Sequence, residues 1–245
     1  MNPAVRLPLK LLKADEILYR FSEGRKKFWL RRLALRLYTR PPRIAFVNSG
    51  DTVLHAGVWR IETVEDWAEC VGPEGHVIII EADPQNAKIL EIEKTRRGLD
   101  NTTIVNKAVW DKPEEIELLV SQISCRNKLR KSETYLPERP NDSFPEEKLV
   151  DADTIDNIIR DVGVDSVDHI HIQVSGAEIE AIRGMEETLR QSEIRVWMRA
   201  IHILEDSERP ANEKVAEMLR NRGMTVVHAK EEPGRHGGNV YAVRY

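Results

Sequence analysis

The chain has 245 residues, of which 41% are hydrophobic and 32% charged, and its formal net charge is −4. This composition is typical of a soluble globular protein with one sizeable core, and it excludes a low-complexity or repeat-built chain. No apolar run is long enough to cross a bilayer.

Two sequence features bear on the cellular compartment. Cys70 and Cys125 lie far apart and make no metal-ligand spacing, which predicts a reduced, intracellular protein. The N-terminal LPLKLLK is interrupted by Lys10 and Lys13 and leads to no small-residue cleavage site, so we do not interpret it as a signal peptide. We therefore expect a cytoplasmic protein.

The first 42 residues form a separate basic segment. Residues 1–43 hold 12 Lys/Arg and 3 acids, a net of +9; the other 25 basic and 38 acidic residues give −13, and the parts sum to −4. Apolar residues recur there at helical spacing among the arginines and lysines, until Pro41-Pro42 stops the pattern. They are Leu30, Leu33, Ala34, Leu37 and Tyr38. The segment is thus predicted to be a basic amphipathic helix.

Two interpretations of this helix stay open. It either docks its apolar stripe on the rest of the chain, with the arginines in solvent, or adheres to an anionic surface such as a membrane leaflet or an acidic partner. The second interpretation would make the protein peripheral at a membrane surface. Nucleic acid is not favoured, because aromatic and basic residues interleave only around Phe28-Trp29 and no binding module is recognisable.

From residue 43 to the end the pattern predicts one domain, in which strands and helices alternate. The elements expected first are a strand at 52–56 that ends at Gly57, a helix at 61–71, a strand at 76–80, a helix at 84–97, a strand at 103–105 and a short strand at 116–120. The strand HVIII is a continuous apolar run of the sort that is buried on both faces.

The second half of the domain continues the alternation after a polar interruption. Residues 121–148 are rich in Ser, Asn, Pro and Glu and are predicted to be a loop or lid. The elements expected next are a helix at 153–161, a strand at 168–174, a helix at 178–190, a strand at 195–201, a helix around 215–219 and two strands at 225–228 and 239–243. Such a chain forms a parallel, doubly wound sheet, here closed by an antiparallel hairpin.

Four stretches within residues 49–245 resemble the FkbM family of S-adenosylmethionine-dependent methyltransferases. They are SGDTVLHAGV, VGPEGHVIIIEADPQN, LDNTTIVNKAVWD and VDHIHIQVSGAEIEAIRGMEETL. The resemblance implies an α/β fold of the class I methyltransferase (Rossmann-like) type, a doubly wound, mainly parallel seven-stranded sheet. It also implies S-adenosylmethionine as cofactor and methyl transfer to a hydroxyl of a sugar, a glycolipid or another small acceptor.

The first loop departs from the family's motifs. There His55 replaces an acid, Val58-Trp59 replaces Ala-Asn and Ile61 replaces the second glycine, so that Gly57 alone is retained. Trp59 and Ile61 either fill part of the cofactor pocket or point away from it.

The fourth-strand motif departs at three positions as well. His171, Gln173 and Ser175 stand where the family has lysine, aspartate and glutamate, whereas the following Gly-Ala-Glu is intact. The substitutions also allow a non-catalytic descendant that acts as a scaffold or regulatory partner.

The resemblance implies cofactor contacts at five positions. Glu81 ends the second strand, where a carboxylate accepts hydrogen bonds from ribose hydroxyls, although it would alternatively cap the next helix. Asp83 is suited to that cap and is a second candidate for the cofactor site. His55 and Gly57 belong to the first loop, and Ala108 belongs to the wall on the adenine side.

The candidates for catalysis are His171, Gln173 and His202. Gln173 and Ser175 cannot act as carboxylate bases, so a histidine is the natural substitute. With His55, the two histidines are expected at the carboxyl ends of neighbouring strands, where one of them would be a base or all three would hold a metal. Each is alternatively a hydrogen-bonded histidine at a strand end. Because no ligand spacing is diagnostic, we predict no metal.

Overall fold

The structure, a computed structural model, describes residues 47–58, 60–122, 126–135, 143–231 and 237–244. The predicted basic helix of residues 1–42 lies outside these ranges, as do Trp59 and Cys125. Within them, no helix is both long enough and apolar enough to span a membrane.

Strands and helices alternate along the chain as predicted. The strands are β1 (Thr52–Ala56), β2 (His76–Ile80), β3 (Thr102–Val105), β4 (Ala108–Val109), β5 (Glu114–Val120), β6 (Lys128–Leu129), β7 (Thr134–Tyr135), β8 (Glu146–Asp153), β9 (His169–Ile172), β10 (Ile194–Ala200), β11 (Ile203–Leu204), β12 (Thr225–Glu231) and β13 (Gly238–Arg244). The helices are α1 (Ile61–Val71), α2 (Pro84–Arg97), α3 (Ile155–Val162), α4 (Glu178–Arg183) and α5 (Ala211–Asn221).

The main sheet has seven strands in the order β12-β13-β10-β9-β1-β2-β3. β1 lies at its centre and pairs in parallel with β2 and β9, and β10 continues the parallel set beside β9. β13 is antiparallel to β10, and β12 is antiparallel to β13. The predicted doubly wound sheet with a closing antiparallel hairpin is confirmed.

Alternation of side chains along β1 divides the core into two layers. Leu54 and Ala56 belong to the larger apolar cluster, which includes residues of α3, α4 and α5. Val53 points to the opposite face, into a cluster with residues of α1 and α2. Helices therefore cover both faces of the sheet, which explains why β2 is apolar on both of its sides.

The prediction of a loop or lid at residues 121–148 is wrong in part. β6 and β7 lie within that segment, and β8 begins at Glu146 and pairs antiparallel with β5 in a second sheet of order β4-β8-β5-β6. β8 has alternating buried and exposed residues only toward its end, and its exposed residues are charged except Leu149, so its sequence carries little strand signal. Because Asp153 belongs to this strand, the helix predicted from 153 begins at Ile155, after its cap Thr154.

The helix predicted at 178–190 is also shorter than expected. α4 ends at Arg183, and a 3-10 turn at Thr188–Arg190 follows. Gly184 lies between them in close contact with the carbonyl oxygen of Trp110, where a side chain would clash. Glycine has low helix propensity, and here it is required by the neighbouring backbone.

Candidate active site

A cleft opens at the carboxyl ends of the central strands and encloses about 900 Å³, part of it open solvent. The loops after β1, β2, β9 and β10 line it, together with β4 and the segment around β6. The polar or charged residues among its lining are Glu81, Lys107, Asn127, Lys128, Gln173, Ser175, Arg199 and His202. Ligands of doubly wound sheets bind at this edge, so the cleft is the natural candidate site.

The turn after β1 forms the floor of the cleft. Gly57 has φ +87°, and a Cβ there would lie well inside the contact distance of the Gln173 carbonyl oxygen. Both facts require glycine at this position. Val58 and Ile61 are buried in the cluster beneath α1 and do not line the cleft. Of the two alternatives for Ile61, the one in which it points away from the pocket is therefore the correct one.

Glu81 lines the cleft directly after β2 and is only 9% exposed. Its Oε1 accepts a hydrogen bond of 2.9 Å from the backbone N–H of Asp83. Burial raises the pKa of Glu81 to about 7, and the negative charge of Asp83 adds to the rise, while the backbone hydrogen bond from Asp83 opposes it. The fold thus keeps an acid in the cleft although the site disfavours its charge.

Asp83 does not line the cleft, which corrects its expected place in the cofactor site. It is the cap of α2: its Oδ1 accepts 3.1 Å hydrogen bonds from the backbone N–H of Gln85 and from Nζ of Lys148. Its Oδ2 accepts one from Nδ2 of Asn127 at 3.2 Å. Asp83 therefore fastens α2 to the second sheet, and its backbone N–H positions Glu81.

Asp83→Ala is expected to cost about 1–2 kcal/mol of unfolding free energy, because the variant loses a helix cap and a largely buried ion pair. The backbone donor to Glu81 stays in place, so we expect the affinity for a ligand of the cleft to change less than about fivefold. Denaturant unfolding and calorimetric titration would measure the two effects. If the loss of binding free energy exceeds the loss of unfolding free energy, Asp83 belongs to the binding site after all.

His55 and His171 turn away from the cleft, and the expected grouping of these two residues with His202 is wrong. They oppose each other across β1 and β9 with ring centroids 4.1 Å apart. Trp67 Nε1 donates a 2.8 Å hydrogen bond to Nδ1 of His55, and the His171 ring lies 4.0 Å from the Trp197 ring. Both histidines are buried beneath α1 and do not line the cleft. This placement removes His171 as a candidate base and His55 as a cofactor ligand.

No group of three metal-ligating side chains forms within the described ranges. His202 does line the cleft, and its Nδ1 faces Oε1 of Glu178 in close contact. Glu178 is fully buried at the first residue of α4. Gln173, Ser175 and Ala108 also lie in the lining, as expected.

Several lining residues were not predicted from the sequence. Asn127 and Lys128 belong to the segment expected to be a loop, and Arg199 is the last but one residue of β10, whose other side chains are buried. Lys107 follows β3 and Arg199 lies near the end of β10, two strands that were themselves predicted, so their position at a carboxyl end was the available signal.

A family model for the methyltransferase FkbM domain matches residues 48–226. The chain belongs to the FkbM methyltransferase family.

Three solved structures are similar to this FkbM domain, and the first of them shares its fold. An FkbM methyltransferase from Methylobacillus flagellatus is 14% identical with a TM-score of 0.53, covering 96% of this chain and 59% of that one. An S-adenosylmethionine-dependent methyltransferase from Aquifex aeolicus is 14% identical (TM-score 0.45, 81% and 85% covered). Fibrillarin from Aeropyrum pernix, solved with S-adenosylmethionine, is 16% identical (TM-score 0.48, 87% and 73% covered). Among curated proteins no match was found.

S-adenosylmethionine is the cofactor of this family, and the residues of the FkbM domain fit it. Glu81 stands in the cleft at the end of the second strand, where the ribose of a nucleoside binds in sheets of this kind. The described residues that replace the family's small ones in the first loop, Val58 and Ile61, are packed under α1 and leave the cleft open.

Proposed function

We propose that this FkbM domain transfers a methyl group from S-adenosylmethionine to a hydroxyl group of a small polar acceptor such as a sugar or a glycolipid head group. The observation that carries the proposal is the buried acid Glu81 in an open cleft. A carboxylate whose pKa is raised to about 7 destabilises the folded protein near neutral pH, and hydrogen bonds from two ribose hydroxyls would offset that cost.

The acceptor side of the proposal rests on the polar residues that follow β9 and β10. Gln173, Ser175 and His202 offer an amide, a hydroxyl and an imidazole to the cleft. These groups both donate and accept hydrogen bonds, which suits hydroxylated molecules. Methyl transfer depends mainly on positioning and desolvation, so the family's lost carboxylates are compatible with activity.

A non-catalytic scaffold or regulatory partner is the second candidate. Gln173 and Ser175 favour it, because neither can replace the family's acids as a base. The inward packing of Ile61 and the retained Glu81 support the enzyme. Adhesion of the N-terminal basic segment to an anionic membrane surface stays a prediction, and it would bring the enzyme to glycolipid acceptors.

A transfer assay tests the proposal. Purified protein is incubated with S-adenosylmethionine that carries a tritiated methyl group and with separate sets of nucleotide sugars, free sugars and glycolipid vesicles. We expect tritium in one set and an equal amount of S-adenosylhomocysteine. Glu81→Gln serves as the matched control, because it keeps the side chain's shape and removes its charge. If S-adenosylhomocysteine binds but no hydroxylated acceptor is methylated, the scaffold hypothesis replaces this one.

A further inference from the structure

We propose that Glu178 holds His202 with a hydrogen on Nδ1, so that Nε2 is the base that takes the proton from the acceptor hydroxyl. The inference rests on the proposed function, because it assigns the base of that reaction. Neither the fourth-strand motif nor the family comparison assigns this role to His202, which lies in a different strand's loop, 24 residues beyond Glu178.

The Glu178–His202 contact is enclosed by protein. Glu178 is 0% exposed and His202 is 4% exposed. Nδ1 of His202 and Oε1 of Glu178 face each other in close contact, and within the described ranges neither atom forms a hydrogen bond with any other group. A buried carboxylate oxygen requires a donor, and the imidazole N–H is the one within reach. The contact therefore places the imidazole hydrogen on Nδ1.

The other carboxylate oxygen of Glu178, Oε2, is held in place by Thr134 of β7. The Thr134 hydroxyl lies 2.9 Å from Oε2 of Glu178 and 2.6 Å from the carbonyl oxygen of Gly176. Gly176 has φ +98° and is packed against the backbone of Thr134, so the turn admits no side chain. The retained Gly-Ala-Glu motif thus sets the direction of the Glu178 side chain.

His202 is held from its backbone as well. Its carbonyl oxygen accepts a 2.9 Å hydrogen bond from the N–H of Ala211, at the start of α5. Because Nδ1 is turned toward Glu178 and the residue lines the cleft, we infer that the Nε2 edge of the ring faces the cleft, whose lining also includes Gln173 and Ser175. Among the histidines with described side chains, it is the one that lines the cleft. Glu178 itself does not line the cleft, so its role is to position His202.

When bound, S-adenosylmethionine supplies a methyl group on a sulfonium: the acceptor oxygen forms the new C–O bond, and the C–S electron pair returns to sulfur, giving S-adenosylhomocysteine. The hydroxyl hydrogen moves as a proton to Nε2 of His202. The resulting imidazolium then carries hydrogens on both nitrogens, and the adjacent Glu178 carboxylate stabilises its positive charge.

Nuclear magnetic resonance of histidine labelled with nitrogen-15 tests the arrangement. Long-range proton–nitrogen correlation distinguishes the two ring nitrogens, and the His202 signals are assigned by their loss in His202→Gln. At pH 8 we expect a hydrogen on Nδ1 and none on Nε2. Glu178→Leu removes the acceptor, and we expect it to shift His202 toward the Nε2–H form, whereas Glu178→Gln keeps an oxygen and the Nδ1–H form.

Glu180→Gln is the control. Glu180 is a buried acid on the same helix, and its Oε1 accepts a hydrogen bond from the backbone N–H of Glu133. It should leave the His202 signals unchanged. An Nε2–H form in the wild-type protein would overturn the proposal, and this result needs only the His202→Gln variant, for the assignment of the signals.

Kinetics separate this inference from the proposed function. With an acceptor from the transfer assay, His202→Gln is expected to lower kcat by about 100- to 10,000-fold. The same variant should bind S-adenosylhomocysteine within about threefold of wild type, because Glu81 and Gly57 are untouched. A wild-type protein that does not bind S-adenosylhomocysteine would contradict the proposed function. An active His202→Gln variant would contradict the base assignment alone.

Discussion

Glu81→Gln is expected to stabilise the ligand-free protein at pH 8 and, at the same time, to weaken the binding of S-adenosylhomocysteine. Burial raises the pKa of Glu81 from 4.5 to about 7. Between these values the folded chain binds more protons than the unfolded chain, so stability falls as the pH rises through this window. Above pH 7 the full cost is present, about 3 kcal/mol at 1.36 kcal/mol per pKa unit. Glutamine does not ionise, so the variant avoids this cost.

The binding loss from Glu81→Gln has a separate cause. A carboxylate accepts two charge-assisted hydrogen bonds from ribose hydroxyls, whereas the amide offers one neutral oxygen. We expect a loss of about 1.5–3 kcal/mol, or about tenfold to a hundredfold in Kd. Denaturant unfolding at pH 4.5 and pH 8, with titration of S-adenosylhomocysteine at pH 8, measures both effects. The stability difference should disappear at the lower pH.

Glu180→Gln provides the matched control for Glu81→Gln. Burial also raises the pKa of Glu180 to about 7, so this variant should likewise be more stable than wild type at pH 8. Because Glu180 does not line the cleft, the affinity of the Glu180→Gln protein for S-adenosylhomocysteine should equal that of the wild type. If both variants bind equally well, Glu81 is an ordinary buried acid and not a ribose ligand.

Gly57→Ala is expected to destabilise the domain by at least about 3 kcal/mol. The φ of +87° costs a non-glycine residue about 1–3 kcal/mol. In addition, the new methyl group would collide with the Gln173 carbonyl oxygen, which belongs to backbone and cannot rotate away. Either the turn after β1 or the end of β9 must move, and both line the cleft. The variant should therefore lose ligand binding as well as stability.

Gly50→Ala isolates the two contributions to the Gly57→Ala effect. Gly50 has the same φ of +87°, but a Cβ there meets no atom within 4 Å. The Gly50 variant should show the conformational cost alone, about 1–3 kcal/mol, and should keep its affinity for S-adenosylhomocysteine. Equal destabilisation of the two variants would show that the turn after β1 can open without moving β9.

The sequence was sufficient to predict the main sheet because its strands are short apolar runs between glycines and helices. HVIII at residues 76–80 and the helix closed by Gly98 are found where they were expected. β8 was missed because its first half carries charged, exposed residues, and its pairing with β5 is not visible locally. Pairing between distant strands depends on tertiary context, which local patterns do not contain.

The candidate site was predicted less completely than the fold. The position of Glu81 follows from the end of a strand, which the sequence marks clearly. The directions of His55 and His171 do not follow, because alternation places them on one face without saying which face meets the cleft. The Glu178–His202 contact joins the first residue of α4 to the loop after β10, which are adjacent only in the folded sheet.

Titration of the wild-type protein with S-adenosylhomocysteine at pH 8 tests the central claim most directly. If the cleft beside Glu81 binds the adenosyl group, calorimetry will show one site per chain, and saturation at a hundred times Kd will stabilise the fold by about 2.7 kcal/mol. No heat of binding and no change in melting temperature at millimolar ligand would contradict it.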